Sequence, residues 1–408
     1  MKKLDMSSQI MSFVESMRDS NGSFFQYRLF NGAEVNPYPS CFAIYIKHML
    51  GELDKLEEDE AEEWANYLRS FQNSDTGIFS DPSSSTRVVD HRHDSNHLDM
   101  QFTTFCIQAL DCLGFKAQFP LRFLEPYHNE IYLMNWLDDL DWSNSSNSGN
   151  KSMFVAICAI YDYETFDNKK SKILLDHWFD WMDRNQNPET GFWGNTRSTQ
   201  YFNGILGFYH QFLIYNYCER EVHYIDKVVD RCLFLQLPDG GFNPEYGGAS
   251  CDDIDAIHVL VYLYHKYDYR RKEIRSALQK SLKLIMDNQN DDHGFCWSKH
   301  KWYDFRRYGY IVYDLIRKKD LFYFYLCLRG LLRGQKKDLI KQKVVTGWSV
   351  CDREERQSSL FDTWFRIASI GLINSVLKNE EDIFDINFIS APGLSWFDTS
   401  KMEIRKSK

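Results

Sequence analysis

The feature that most constrains this chain is a repeated turn. Glycine followed closely by an aromatic recurs at Gly22, Gly77, Gly191, Gly241, Gly294 and Gly347, in contexts such as "FQNSDTGIFSDP", "DRNQNPETGFWG", "FLQLPDGGFNP" and "MDNQNDDHGFCWS". Neighbouring members lie 50 to 55 residues apart, save for one interval of 114, which is two periods. The sequence places the intervening member at "DDLDWSNSSNSGN", with Trp142 and Gly149. A period in the fifties means that one supersecondary unit is copied along the chain and that neighbouring copies bury a continuous core.

Each unit has the same order. An amphipathic helix with one charged face comes first, as in "AEEWANYLRSFQ" or "KEIRSALQKSLKLIMDNQ". The turn follows, and then a helix that is apolar nearly all round, as in "LDMQFTTFCIQALDCLG" or "DDIDAIHVLVYLYHKY". One half-exposed and one fully buried helix per unit predict two concentric rings: an all-α (α/α)6-type toroid of six or seven helical hairpins. Glycine takes the left-handed conformation that ends a helix. The aromatic plugs the gap beneath the turn. A glutamine one turn earlier (Gln72, Gln186, Gln236, Gln289) is placed to cap the next helix. Strand signal is confined to "KQKVVTGWSV", and Ser/Asn/Asp-rich loops are expected near 80–96 and 141–150. No linker divides the chain, so 1–408 reads as one domain with an irregular tail from about 377.

Composition narrows the function. Phe, Tyr and Trp number 30, 24 and 11, enough to line a cavity whose ring faces stabilise cations or stack on sugars. A net charge of −10 opposes non-specific nucleic-acid binding. Ten scattered cysteines form no CxxC pair, which excludes zinc-ribbon and thioredoxin motifs. The N-terminal segment has no apolar run of the secretory kind, and no stretch is long and uncharged enough to span a bilayer. A cytoplasmic protein with no transmembrane segment is expected.

The richest polar cluster opens one of the apolar helices. Asp252, Asp253 and Asp255 lie within one helical turn, and His258 falls three residues beyond Asp255 on the same face. One aspartate is enough for a helix cap; three exceed it. Carboxyls this close resist joint ionisation, so at least one should keep its proton. The set suits acid–base work, a plain cap, or a divalent metal such as Mg held through oxygens. Other helix starts add candidates. "DHRHDSNHLDM" carries His91, His93, Asp94, His97 and Asp99, whose spacing fits a metal as well as a solvated loop. "KWYDFRRYGY" offers Tyr303, Asp304, Arg306 and Arg307, and "CDREERQSSLFDTWFR" offers Asp352, Arg353, Arg356 and Asp362. Arginine forks bind carboxylate or phosphate, and at a cavity mouth they would receive an anionic substrate; inter-helix ion pairing is the competing role. Tyr201 and Trp193 are further candidates for lining, with Asn203 and His210 beside them.

The glutamine–acid–glycine–aromatic pattern on paired helices resembles the α/α toroid of terpenoid cyclases and protein prenyltransferase β-subunits, over roughly residues 10 to 376. The resemblance implies chemistry inside the inner ring. Class II cyclases carry Asp-x-Asp-Asp, whose middle carboxyl protonates an alkene or epoxide. Here Asp253-Ile254-Asp255 is followed by Ala256, and in the other register Ser250 precedes Asp252-Asp253. Asp255 also stands where prenyltransferases have a zinc-binding cysteine, so no zinc site is expected.

The expected function is therefore terpene cyclase-like action on an isoprenoid, such as a diphosphate, with Asp255 as proton donor aided by Asp252, Asp253 and His258. Arg306, Arg307, Arg353, Arg356, Tyr201, Trp193 and His97 would contact the substrate. The alternatives are a glycan hydrolase or lyase acting on an acidic saccharide, and a non-catalytic toroid that binds lipid or peptide.

Overall fold

The computed structural model describes residues 3–20, 22–82, 95–299, 305–341, 343–344, 353–377 and 385–398. Among the described residues six helices form the inner ring: α2 (Pro37–Met49), α4 (Ser95–Cys112), α6 (Ser145–Phe166), α8 (Phe202–Tyr217), α10 (Ser250–Lys266) and α14 (Leu360–Leu377). Each packs on the next, and α14 closes onto α2. Their burial follows from composition. In α14, "LFDTWFRIASIGLINSVL", every residue except Ser375 is buried. The outer helices are α1 (Lys3–Ser16), α3 (Glu58–Arg69), α5 (Glu130–Asp139), α7 (Lys169–Asn185), α9 (Ile225–Leu235) and α11 (Arg271–Asp287). These bury one apolar stripe, Leu174, Leu175 and Trp178 in α7 for example, and turn their charges outward. Among the described residues the ring has six hairpins. A further pair, α12 (Arg306–Lys318) and α13 (Leu321–Leu339), is inserted between α11 and α14. The "KQKVVTGWSV" stretch supplies one edge of a two-residue antiparallel pair, β1 (Lys343–Val344) with β2 (Arg353–Glu354).

The repeated turn is built as its composition suggests. Gly77, Gly191 and Gly240 have φ of 77°, 74° and 97°. The glutamines after α3, α7 and α9 each bridge their own turn to the segment that follows the next inner helix, whereas Gln289 after α11 donates to His293 O of its own turn (3.1 Å). Gln72 Nε2 donates to the carbonyls of Gly77 (2.9 Å) and Phe119 (2.8 Å). Gln186 does so to Gly191 (2.7 Å) and His223 (3.0 Å), and Gln236 to Gly240 (3.2 Å) and Ala277 (2.8 Å). The aromatic after the turn then donates its backbone N–H to a side chain of an inner helix. Phe79 donates to Thr103 Oγ1 (2.9 Å), Phe295 to Thr363 Oγ1 (3.0 Å) and Phe242 to Asp253 Oδ1 (2.9 Å).

Two turns depart from expectation. In the turn at Gly294, His293 (φ 68°) takes the left-handed position, not the glycine. Gly149 is not a turn residue. The stretch expected to be a loop at 141–150 joins α6 at Ser145, because Asn144 caps it through Asn147 N–H. Gly149 lies buried inside α6, where a Cβ would meet Gly207 of α8 at about 3 Å, so the glycine sets the close approach of these helices. The Gly347–Trp348 turn lies outside the described residues.

The inner helices run parallel, so the ring has an entry end where they begin and a far end where they finish. At the far end the segment 385–398 folds back onto the ring. Asn387 N–H donates to Met49 O of α2 (2.9 Å), and Gln108 of α4 donates to Ala391 O (3.3 Å) and Leu394 O (3.2 Å). Tyr209 of α8 accepts from Ser395 N–H (3.3 Å), and Trp364 of α14 donates to Ser395 Oγ (3.0 Å). The Phe397 ring lies edge-on to His258 of α10, with centroids 5.6 Å apart. Five of the six inner helices thus hold this segment, a floor that starts at the end of α2 and reaches up to mid-helix positions of α8 and α10 and to the first turns of α14.

Candidate functional site

The aspartate cluster occupies the first two turns of α10, at the entry end. Its members have different neighbours. Asp253 is buried and fully committed. It accepts from the backbone N–H of Phe242 and of Ala249 (both 2.9 Å) and pairs with Arg366 of α14, Nη1 to Oδ2 2.7 Å. Arg366 is itself buried and donates its other fork to Trp297 O (2.9 Å). Asp253 plays the part that Thr103 and Thr363 play in other repeats, with a charge added and countered. A second clamp stands beside it. Asp362 of α14 accepts from Ser250 Oγ of α10 (2.6 Å) and pairs with buried Arg353 (2.8 Å). Each helix thus supplies an acceptor for the other.

Asp252 is half-buried. It accepts from Asn243 Nδ2 (2.6 Å) and faces the Cys251 thiol (3.1 Å). Burial raises its pKa to about 6, with these two contacts pulling down and the Asp253 charge pushing up.

Asp255 has a different setting. It is buried, and among the described residues its carboxyl has no hydrogen-bond partner. Burial holds its pKa well above the ordinary carboxylate range, and the charges of Asp252 and Asp253 push the same way. Counting two residues on from the turn acceptor in the sister helices gives Phe105 in α4 and Phe365 in α14, both buried. A carboxyl therefore stands where the repeat otherwise puts an aromatic ring. The protonated form is the one this environment favours.

His258 does not bond to Asp255. Its Nδ1 lies 3.2 Å from Tyr209 Oη, and its Nε2 has no partner among the described residues. Burial lowers its pKa to about 3, so it is a neutral imidazole, with Tyr209 as the donor to Nδ1. Tyr209, which sequence reading passed over, also feels the Asp255 charge and has its own pKa raised, by burial first. It links the acid cluster, the histidine and the floor.

The other candidates do not gather here. Arg353 is spent on Asp362, and Arg356 pairs with Asp338. Arg307 is buried, its guanidinium 5.6 Å from the Tyr246 ring centre, and Arg306 is exposed. Both open α12, which lies outside the inner ring, so the expected arginine patch facing the acids is not assembled by these four. Tyr201 donates to Asp320 (2.6 Å), at the seat of the inserted hairpin. Trp193 is core, stacked on Phe208 and bonded to Met182 O (2.8 Å). His97 is buried edge-on to Phe154. His91, His93, Asp94, Tyr303, Asp304 and Asp352 lie outside the described residues. Arg366 was also overlooked, although a lone arginine inside the apolar "LFDTWFRIASIGL" is the mark of a buried counter-ion.

The family model of the prenyltransferase alpha-alpha toroid domain matches residues 2–88 and 124–301, more than half of the chain. The chain belongs to this family. None of the curated proteins matches it. Among solved structures it is similar to the type II terpene cyclase MstE from Scytonema. A variant of MstE in complex with geranylgeranyl dihydroxybenzoate is 11% identical, with 92% of this chain and 97% of that chain covered and a TM-score of 0.47. The apo form is 12% identical, with 92% and 99% covered and a TM-score of 0.43. A variant bound to merosterolic acid A gives 11%, 92%, 96% and 0.45.

Proposed function

We propose that this toroid carries out acid-initiated chemistry on an isoprenoid, with Asp255 as the proton donor. The observation that carries the reading is the contrast within the cluster. Asp253 is fixed as a carboxylate by Arg366 and two backbone donors, whereas Asp255 is buried, unpartnered and held protonated. The raised pKa keeps the proton on Asp255 for delivery, and the negative charge left there after transfer, beside that of Asp253, stabilises the cation created. The step transfers the Asp255 proton to one alkene carbon. The π electrons form that C–H bond, the other carbon becomes cationic, and Asp255 is left as carboxylate. Attack by a second alkene closes a ring, and loss of a proton ends the sequence. Asp252 tunes the donor through its charge. Tyr209 and His258, both neutral, form the wall next to it.

A diphosphate headgroup finds no support in Arg353 and Arg356, which are paired with Asp362 and Asp338. A saccharide reading gains no second uncommitted carboxyl from Asp253. A binding-only reading draws on the floor: the ring already holds an extended apolar segment of its own chain.

Incubation with farnesyl and geranylgeranyl compounds in deuterated water separates these readings. The proposal expects a cyclised product carrying one solvent deuteron, abolished in Asp255→Asn with no loss of thermal stability. Ligand binding with no turnover across both chain lengths would favour the binding-only toroid.

A further inference from the structure

The inserted hairpin α12–α13 is chemically unlike the rest of the molecule. Residues 306–341 hold ten Lys or Arg and three Asp, a net +7 within a chain whose total is −10. They are also where apolar side chains are left in water. Among the described residues fourteen large hydrophobics are exposed, and ten lie between Phe305 and Ile340. The exposed positions keep helical spacing. Tyr310, Tyr313 and Ile316 follow one another along α12, and Leu321, Tyr325 and Leu332 along α13, at 44 to 75% exposure. Exposed basic residues sit between them, including Arg317, Arg329 and Lys336.

The other side of the hairpin explains its position. Tyr323 stacks on Phe202 at the start of α8 (5.9 Å). Lys337 bridges Glu245 and Glu355 at 2.7 and 2.8 Å, and a Cβ on Gly330 would lie 2.2 Å from Pro244 O. The hairpin is therefore firmly seated at the entry end, beside the loop that leads into α10. It lies beyond residue 301, where the family match ends.

We infer that the outer face of α12–α13 docks the protein onto an anionic bilayer surface, with the entry end of the ring turned toward the lipid. Exposed aromatic and aliphatic groups interleaved with Lys and Arg suit the headgroup–acyl boundary, where the apolar parts enter and the charged ends stay with phosphates. Charge complementarity selects the occupant. A strongly acidic remainder keeps every other face away from such a surface. No described helix is long and apolar enough to cross a membrane, so the contact is in-plane. The inference does not depend on Asp255 chemistry.

Sedimentation with vesicles tests it without any turnover assay. The chain should bind phosphatidylcholine vesicles containing phosphatidylserine, bind pure phosphatidylcholine much less, and release with added salt. Each basic residue removed from the face should lower partitioning about fivefold, so Arg317→Ala with Lys336→Ala should lose roughly 25-fold. Ile316→Asp with Leu321→Asp should abolish binding, with helical circular dichroism unchanged. The inference is overturned if the anionic vesicles fail to bind the parent chain, if these exposed-face variants bind as well as it does, or if the face proves to join two copies. In that last case the chain would sediment as a dimer that Ile316→Asp/Leu321→Asp dissolves.

Discussion

Asp253 and Asp255 are two residues apart and should respond oppositely to the same substitution. Asp253→Asn removes the negative charge from a pair in which both partners are buried, leaving Arg366 stranded, a cost of about 3–5 kcal/mol. The new amide keeps one acceptor for two backbone donors, Phe242 and Ala249 N–H, and stranding one of them adds about 1–3 kcal/mol. The sum is roughly 4–8 kcal/mol. With an unfolding entropy of about 2.1 cal/mol/K per residue, each kcal/mol is about 1.2 °C for 408 residues, so Tm should fall roughly 5–9 °C. Asp253→Thr with Arg366→Met should recover most of the loss, because it restores the uncharged acceptor of the sister repeats and removes the stranded cation. Asp255→Asn should cost nothing. The raised pKa means that the folded chain binds a proton the unfolded chain has released once the pH passes about 4. The stability that proton contributes is complete below that pH and fades as the pH rises toward the folded value. The variant lacks this slope, so its advantage over the parent should grow from acid to neutral pH. Thermal melts of the three variants at several pH values decide the matter. A loss in Asp255→Asn as large as that in Asp253→Asn would refute the division of roles.

Further expectations follow from the same contacts. Asp252→Asn removes the like charge that acts more strongly on Asp255, so the Asp255 pKa should fall and the alkaline limb of any pH–rate profile should move to lower pH. Phe397→Ala should destabilise by about 3–5 kcal/mol in urea unfolding if the floor is an integral part of the core, and by well under 1 if it is a loose plug. Gly240→Ala places a Cβ 2.3 Å from Lys280 O on top of a left-handed backbone. Its Tm should therefore fall further than that of Gly114→Ala, where the same backbone penalty of about 1–2 kcal/mol meets open space.

The repeat was legible because each of its parts has a local cause: a left-handed glycine, a bridging glutamine, and an aromatic packed beneath. The beginning of α6 was not, because "SNSSNSGN" has loop composition, and only the approach of Gly207 from another helix turns Gly149 into a packing residue. The arginines show the same limit. The sequence left Arg353 and Arg356 between anion binding and ion pairing; folding decides for pairing, with Asp362 nine residues on from Arg353 and with Asp338 of α13 for Arg356. The start of α12 reads in sequence as a place for Arg306 and Arg307 at a cavity mouth, but α12 belongs to a hairpin outside the inner ring. Its run of Tyr and Arg, of which Arg306, Tyr310, Tyr313 and Arg317 are exposed in the structure, carried the opposite message. Asp253 and Asp255 were indistinguishable in sequence; the counter-charge from α14 separates them.

The most direct test of the account is the protonation state of Asp255 itself. An infrared difference spectrum between the parent and Asp255→Asn at neutral pH should show a protonated-carboxyl C=O band in the parent that the variant lacks. A carboxylate band there instead would mean that Asp255 is ionised and has no proton to give.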